Sequence, residues 1–134
     1  DIINGGAGND RIIFDQNDSH IEGGVGTDTL WFKDDNTLAN LSGSTIFSGI
    51  DVIDLRALQS ISGNHLILDA AEVHNMSDNQ TLTVNGGGHD TLQLSAADGW
   101  VISTPLAGYT TYTSAASGGA VVNAENTLHY VHLV

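Results

Sequence analysis

The chain of 134 residues has no cysteine, so no disulfide can stabilise it. Its three basic residues, Arg11, Lys33 and Arg56, stand against sixteen acidic ones, which gives a formal charge of −13. Charge of this sign repels phosphate backbones and anionic lipid, so we expect no nucleic-acid partner. No apolar run approaches the roughly 20 residues of a membrane span, and no signal-peptide pattern is present, so we expect no membrane insertion. Stability must come from the core or from a bound ligand.

The residue patterns of common catalytic sites are also missing. The sequence contains no Gly-x-Ser-x-Gly elbow, no cysteine nucleophile and no His-Glu-x-x-His motif. Asp51 and Asp54 would fall on opposite faces of a strand, which suits solvent-facing or turn residues better than a glycosidase pair. His129 and His132 also fall on opposite faces if the chain is extended there. We therefore expect no catalytic residue and no enzymatic activity in this chain.

The chain does have a glycine-rich motif that recurs after eighteen residues. Gly5-Gly6-Ala7-Gly8-Asn9-Asp10 returns as Gly23-Gly24-Val25-Gly26-Thr27-Asp28. Ile12 and Leu30 each follow the aspartate by two positions, and a degenerate copy between them keeps Ile21 in the same apolar register. Eighteen is twice nine, so the period is nine residues. The pattern Gly-Gly-x-Gly-x-Asp-x-apolar-x is typical of calcium-binding β-helix repeats.

This motif predicts a calcium site between stacked turns. One nonapeptide makes a turn and a short strand, and two complete a coil, so turns eighteen residues apart lie about 4.8 Å from each other. Glycines allow backbone angles that direct carbonyl oxygens inward, and the aspartates add carboxylate oxygens. Ca²⁺ takes about 6–8 oxygen ligands in flexible geometry, which suits such a gap. The predicted ligand-bearing residues of this main site are Gly5, Gly6, Ala7, Gly8, Asp10, Gly23, Gly24, Val25, Gly26 and Asp28.

Two further positions are weaker candidates for calcium. On the opposite edge the stacked residues are Asp1 and Ser19, where a second carboxylate is missing, although Asn17 and Asp18 could contribute oxygens. The segment containing Gly86, Gly88 and Asp90 also fits the nonapeptide, but we expect it to have no partner turn one coil away. An isolated turn supplies half a calcium shell, so a plain glycine-rich corner is the favoured interpretation there.

Residues 1–31 resemble the RTX proteins, large bacterial proteins exported by type I secretion. A second resemblance covers residues 50–55, 64–73 and 79–92, which are similar to modules near the secretion signal of giant RTX adhesins. The resemblance implies a secreted or cell-surface bacterial protein that folds on meeting external calcium. Neighbouring RTX repeats of a longer polypeptide would be its partners. The apolar end, residues 131–134, is compatible with an export signal and equally with a final core strand.

The expected fold class is all-β. We predict a parallel β-roll or β-solenoid over residues 1–31, continuing into an irregular β-rich stack over residues 32–134, the two forming one continuous domain. One or two short helices are expected where Asp69-x-x-Glu72 and Ser95-x-x-Asp98 follow strands with alternating leucines, because both segments resemble capping boxes. Glu72 and Asp98 are accordingly expected to be helix caps.

The favoured function is a calcium-dependent structural and secretion module of an extracellular RTX adhesin. The alternative is that the same scaffold binds a surface glycan or a peptide. An appendage of a secreted RTX enzyme or toxin is less favoured, and ice binding would need a larger flat array. Exposed, contiguous aromatic residues would indicate ligand binding and buried ones a structural role; the candidates are Trp31, Trp100, Tyr109, Tyr112 and Tyr130.

Overall fold

The computed structural model describes residues 1–103 and 107–134, without the side chains of Tyr130 and His132. In these ranges the chain is mostly β and has one α-helix, α1 (Ala70–Met76), with short 3₁₀ turns at Ala96–Asp98 and Ala116–Gly118. The strands are β1 (Ile2–Ala7), β2 (Arg11–Ile13), β3 (His20–Val25), β4 (Thr29–Trp31), β5 (Leu38–Asn40), β6 (Phe47–Ser48), β7 (Val52–Asp54), β8 (His65–Leu68), β9 (Thr81–Asn85), β10 (Thr91–Leu94), β11 (Val101–Ile102), β12 (Tyr109–Ser114), β13 (Ala120–Glu125) and β14 (Tyr130–Leu133). The predicted β-rich class is confirmed.

The strands form three sheets. The three-stranded sheet has the order β1-β3-β6, the four-stranded sheet β14-β10-β8-β5, and the seven-stranded sheet β11-β12-β13-β9-β7-β4-β2. Pairing is parallel except where β12 joins β11 and β13. Up to β4 the chain alternates between the three-stranded and seven-stranded sheets, and the four-stranded sheet begins only at β5. Each circuit of the chain therefore grows longer after β4.

Pairing in the first part of the chain follows the eighteen-residue register of the sequence. Ile3 lies opposite Ile21 in β1 and β3, and Ile12 lies opposite Leu30 in β2 and β4. The inward row then continues across the seven-stranded sheet, where it consists of Ile12, Leu30, Ile53 and Val84, all buried. Burying a side chain of this size contributes about 1.5–3 kcal/mol, so the row anchors the strand register.

Helix α1 packs beside the end of the three-stranded sheet, where the Ile50 N–H donates to the Met76 carbonyl. Its seven residues begin as predicted, because the Asp69 carboxylate accepts the Glu72 N–H at 2.8 Å. Asp98 also caps this helix, accepting the Ala70 N–H at 2.8 Å. No helix in the described ranges is long and apolar enough to cross a membrane.

The prediction of a second capping box was wrong. Ser95 makes no side-chain cap hydrogen bond at the 3₁₀ turn, and the Asp98 carboxylate serves α1 instead. The Glu72 side chain is not a helix cap either. It is 2 % exposed, and its Oε2 has no hydrogen-bond partner among the described residues. Burial, together with the charge of Asp69, raises the pKa of Glu72 to about 8, against an opposing effect of the Ser44 N–H.

We expect Glu72 to make the fold pH-dependent. Its pKa rises from 4.5 in the unfolded chain to about 8 in the fold, so its contribution to stability is complete below 4.5 and is lost as the pH rises through 8. The loss amounts to about 1.4 kcal/mol per pH unit within that window. Urea unfolding from pH 4.5 to 9 should therefore show Glu72→Gln gaining stability relative to the parent protein as the pH increases. Asp78→Asn, an exposed change of equal charge, should follow the parent; equal slopes for Glu72→Gln and the parent would contradict the assignment.

Candidate metal centre

The two glycine-rich turns lie against each other. In the pairing of β1 with β3, Gly6 is opposite Gly24 and Ala7 is opposite Val25. The Gly8 N–H donates to the Val25 carbonyl at 2.8 Å, which continues the pairing into the turn. The structure thus brings together both halves of the main predicted site.

Hydrogen bonds between side chains and backbone join the turns where the aspartates lie. The Asp28 Oδ1 accepts the Asp10 N–H at 2.8 Å, and the Asn9 Oδ1 accepts the Thr27 N–H at 2.9 Å. Asp28 is completely buried and Asp10 is half-buried. Each of the two side-chain oxygens therefore satisfies a backbone N–H of the adjacent turn, and the register between the turns is held by both bonds.

The Oδ2 atom of each aspartate lacks a hydrogen-bond partner among the described residues. Oδ2 of Asp10 and Oδ2 of Asp28 are both buried and accept no hydrogen bond from the described residues. An unpaired buried carboxylate oxygen is costly, and a bound cation removes that cost. These two oxygens are the features of the site that a hard cation would fit.

Backbone carbonyl oxygens approach the opposing turn closely. A Cβ at Gly24 would overlap the Gly6 carbonyl oxygen, a Cβ at Gly26 the Gly8 oxygen, and a Cβ at Gly5 the Gly23 oxygen. No group of three or more His, Cys, Asp or Glu side chains suited to a metal occurs in the described ranges. The ligands of a cation here would therefore be mainly carbonyl oxygens, with Asp10 and Asp28 supplying the charge. Ca²⁺ accepts such a ligand set.

Asp51 belongs to the same row of aspartates as Asp10 and Asp28, which the sequence did not indicate. Its Oδ2 accepts the Asp28 N–H at 2.9 Å, as Asp28 does for Asp10. The Asp51 N–H in turn donates to the Asp28 carbonyl. The offset here is 23 residues, because the loop after β4 is longer, so an eighteen-residue search misses it. The spacing of two residues between Asp51 and the core residue Ile53 repeats the aspartate-x-apolar part of the motif. That spacing could have revealed Asp51 as a member of the row.

The opposite edge brings together fewer possible metal ligands. The Ser19 N–H donates to the Asp1 carbonyl at 2.7 Å, while Asn17 and Ser19 are exposed. The Asn17 amide donates to Asp15 at 2.8 Å. Asp18 is buried, with Oδ1 lying 3.1 Å from the terminal amino group and Oδ2 unpartnered. Of the four residues predicted there, only Asp18 offers a buried carboxylate oxygen.

Asp90 is fully buried, and both of its carboxylate oxygens accept backbone N–H groups. Its Oδ1 accepts the Asn64 N–H at 2.8 Å and its Oδ2 accepts the Gly87 N–H at 2.7 Å. The expectation that this turn has no neighbour was wrong, because Asn64 lies one circuit before it and His129 donates its N–H to the Asp90 carbonyl. The carboxylate of Asp90 thus acts as a hydrogen-bond acceptor between turns.

Gly86 and Gly88 differ in their surroundings. A Cβ at Gly86 would overlap the Leu128 side chain, whereas one at Gly88 would meet no atom within 4 Å. A side chain at Gly86 would therefore require Leu128 to shift, and neither glycine faces a second turn with unpartnered carboxylate oxygens among the described residues.

The two partly exposed aromatic candidates whose side chains the structure describes, Trp31 and Tyr109, are not contiguous. Trp100 and Tyr112 are buried. Trp31 and Tyr109 are partly exposed on the seven-stranded sheet, but β7, β9 and β13 lie between their strands. Arg11 covers the Trp31 ring at 3.8 Å, and the Tyr109 hydroxyl donates to Asn85 at 3.0 Å. The side chain of Tyr130 lies outside the described residues.

No protein-family model, curated protein or solved structure matches this chain. Its function is therefore argued from the geometry of the site itself.

Proposed function

We propose that residues 1–31 are a parallel β-roll of the RTX type that holds Ca²⁺ between its stacked turns, and that residues 32–134 cap this roll within one continuous domain. The observation that carries the proposal is the pair of buried, unpartnered Oδ2 atoms on Asp10 and Asp28 in turns one eighteen-residue circuit apart. The carbonyl oxygens of Gly6, Gly8 and Gly23 at the same interface support it.

Calcium would act here by coupling binding to folding. The two turns meet only in the folded chain, so a cation held between them adds its binding free energy to the stability of the fold. Without the cation, two carboxylates lie in adjacent turns and a buried oxygen of each is unpaired. Because the chain has no cysteine, this cation would take the place of disulfides in stabilising the protein.

The proposed biological role is that of a structural and secretion module of a bacterial adhesin. The chain would stay unfolded where calcium is scarce and would fold after type I export, at the cell surface or outside the cell. Neighbouring repeats of the same polypeptide would pair with β1 and β2, which are edge strands whose Ile2 and Ile13 are exposed. The proposed role includes no catalytic activity, no nucleic-acid partner and no insertion into a membrane. A glycan or peptide ligand and an appendage of an RTX enzyme or toxin are the alternatives.

A thermal melt followed by circular dichroism tests the calcium site. We expect Ca²⁺ added to chelated protein to raise the melting temperature or to fold a disordered chain. Mg²⁺ at the same concentration should have little effect, because it requires a tighter octahedral shell and retains its water. A melt that is the same with and without Ca²⁺ would refute the proposal.

A further inference from the structure

Strand β5 leaves one edge of the four-stranded sheet open. It pairs with β8 on one side only, and the segment joining β2 to β3 adds no strand on the other side in the described ranges. The Thr37 carbonyl accepts the His65 N–H, and the Leu41 N–H donates to the Ile67 carbonyl. In a parallel pair, alternate residues use their backbone groups on the same side. The backbone groups of Leu38 and Asn40 therefore point away from β8.

A cleft of about 510 Å³ lies beside this open edge. Its apolar part includes Ile13, the rings of Phe14 and Phe32, which stack at 4.4 Å between centroids, and Leu38, which is 63 % exposed. A second cavity of about 170 Å³ adjoins it, reaching Leu41 and Phe47. Backbone hydrogen-bonding groups thus run along a strand edge next to two cavities that have both polar and apolar lining residues.

Both walls of the cleft are held in place by hydrogen bonds. In the wall that leads into β5, the Asp35 carboxylate accepts the N–H groups of residues 61–63 at 2.7–3.1 Å, and Thr37 donates its N–H to Asn64 at 2.7 Å. In the other wall, the Asp15 carboxylate accepts the N–H of Asn17 at 2.9 Å. Because these walls are already ordered, a ligand would bind with a smaller entropic cost.

The charges around the cleft favour a basic ligand. Asp15 and Asp34 line it and are exposed, and Lys33 is the one basic residue in its lining. Hydrogen bonds from Asn17 keep the pKa of Asp15 below its ordinary value, so this acid stays charged. The chain carries a formal charge of −13, so a second copy would be repelled and a basic partner attracted.

We propose that the open edge of β5 docks an extended peptide segment of a partner protein, adding a strand to the four-stranded sheet. The backbone of Leu38 and Asn40 would form the hydrogen bonds of a new strand pair. An apolar residue at the centre of the peptide would lie in the cavity beside Phe14, and basic residues of the peptide would lie near Asp15 and Asp34, which line the same cavity.

A synthetic peptide tests this pairing. The probe is Lys-Val-Leu-Val-Lys, acetylated and amidated at its ends, titrated into the calcium-loaded chain and followed by NMR. N–H groups of successive residues point to opposite edges of a strand, so two N-methylated forms are compared, one blocked at the second and fourth residues and one at the third and fifth. We expect one form to bind at least about tenfold more weakly than the unmodified peptide and the other to bind within about threefold of it. Equal weakening of both forms, or no binding by the unmodified probe, would overturn the proposal.

Protein variants test whether the probe peptide binds in the cleft beside β5. Leu38→Ala should weaken binding of the probe, whereas Leu58→Ala, at a leucine that is 73 % exposed outside the cleft, should not. Asp34→Asn should weaken binding of the basic probe more than the exposed Asp78→Asn does, and added salt should remove this difference. NMR shifts confined to residues away from β5 would refute the assignment. A monomer–dimer equilibrium that Leu38→Ala abolishes would also refute it, by assigning the edge to a second copy.

Discussion

Asp28→Asn is expected to stabilise the fold in chelated buffer and to destabilise it in saturating Ca²⁺. Asparagine is nearly isosteric and can still accept the Asp10 N–H through Oδ1, so the bond between the turns survives. Without the cation, the change removes the negative charge of a carboxylate whose Oδ2 is buried and unpartnered, and this removal favours folding. With the cation, it removes an anionic ligand. The sign reversal separates a metal ligand from a residue that only holds a turn.

The size of the effect follows from linkage. At free Ca²⁺ 100 times the dissociation constant, binding adds about 2.7 kcal/mol to the free energy of unfolding, and most of this gain should be lost in the variant. The measurement is urea unfolding at several Ca²⁺ concentrations, for the parent protein and Asp28→Asn in parallel. Asp78→Asn, an exposed change of the same charge, serves as the control and should leave the calcium response intact.

Alanine substitutions rank the three aspartates of the row. Asp10→Ala and Asp28→Ala should weaken the calcium response more than Asp51→Ala does, because no oxygen of Asp51 is both buried and unpartnered. If Asp51→Ala abolished the response while Asp28→Ala left it intact, the cation would have to lie elsewhere than between the two glycine-rich turns.

Gly26→Ala should destabilise the fold far more than Gly8→Ala, although both glycines occupy the same position of the repeat. Both have positive φ, +124° at Gly8 and +145° at Gly26, so alanine is strained at either by about 1–3 kcal/mol. At Gly26 the new Cβ also overlaps the Gly8 carbonyl oxygen, whereas at Gly8 it meets no atom within 4 Å. The total loss at Gly26 is expected to be roughly 3–5 kcal/mol.

Chemical denaturation of the two variants in Ca²⁺ measures this difference. Adding two upstream nonapeptides to the chain provides a further control, because a new turn would then cover Gly8. In that longer chain Gly8→Ala should become as destabilising as Gly26→Ala. Equal effects of the two substitutions in the present chain would contradict the stacked order of the turns.

Features that depend on short-range periodicity could be predicted from the sequence. The eighteen-residue motif correctly indicated which strands pair at the start of the chain, because one misplaced residue would move Ile12 and Leu30 out of the core. The helix start at Asp69 was equally accessible, since its cap acts on an N–H three residues away. The calcium ligands at Asp10 and Asp28 remain a prediction that the geometry supports.

Features that depend on variable circuit length could not be predicted. Asp51 joins Asp28 at an offset of 23 residues and Asp90 joins Asn64 at an offset of 26, so no single period finds both. The sequence pattern placed Asp98 in a capping box of its own, but its carboxylate caps α1 at Ala70, 28 residues earlier in the chain. In each case the partner is set by how much chain the preceding loop contains.

The sequence by itself determined the β-rich class, the pairing of the first strands and the glycine positions of the two turns, because these follow from local backbone freedom and a short apolar period. Only the tertiary structure decided that Oδ2 of Asp10 and Oδ2 of Asp28 are buried without partners, that Glu72 is enclosed, and that β5 has an open edge. Burial and missing partners depend on every element packed around a group, and that surrounding structure is created only when distant segments meet.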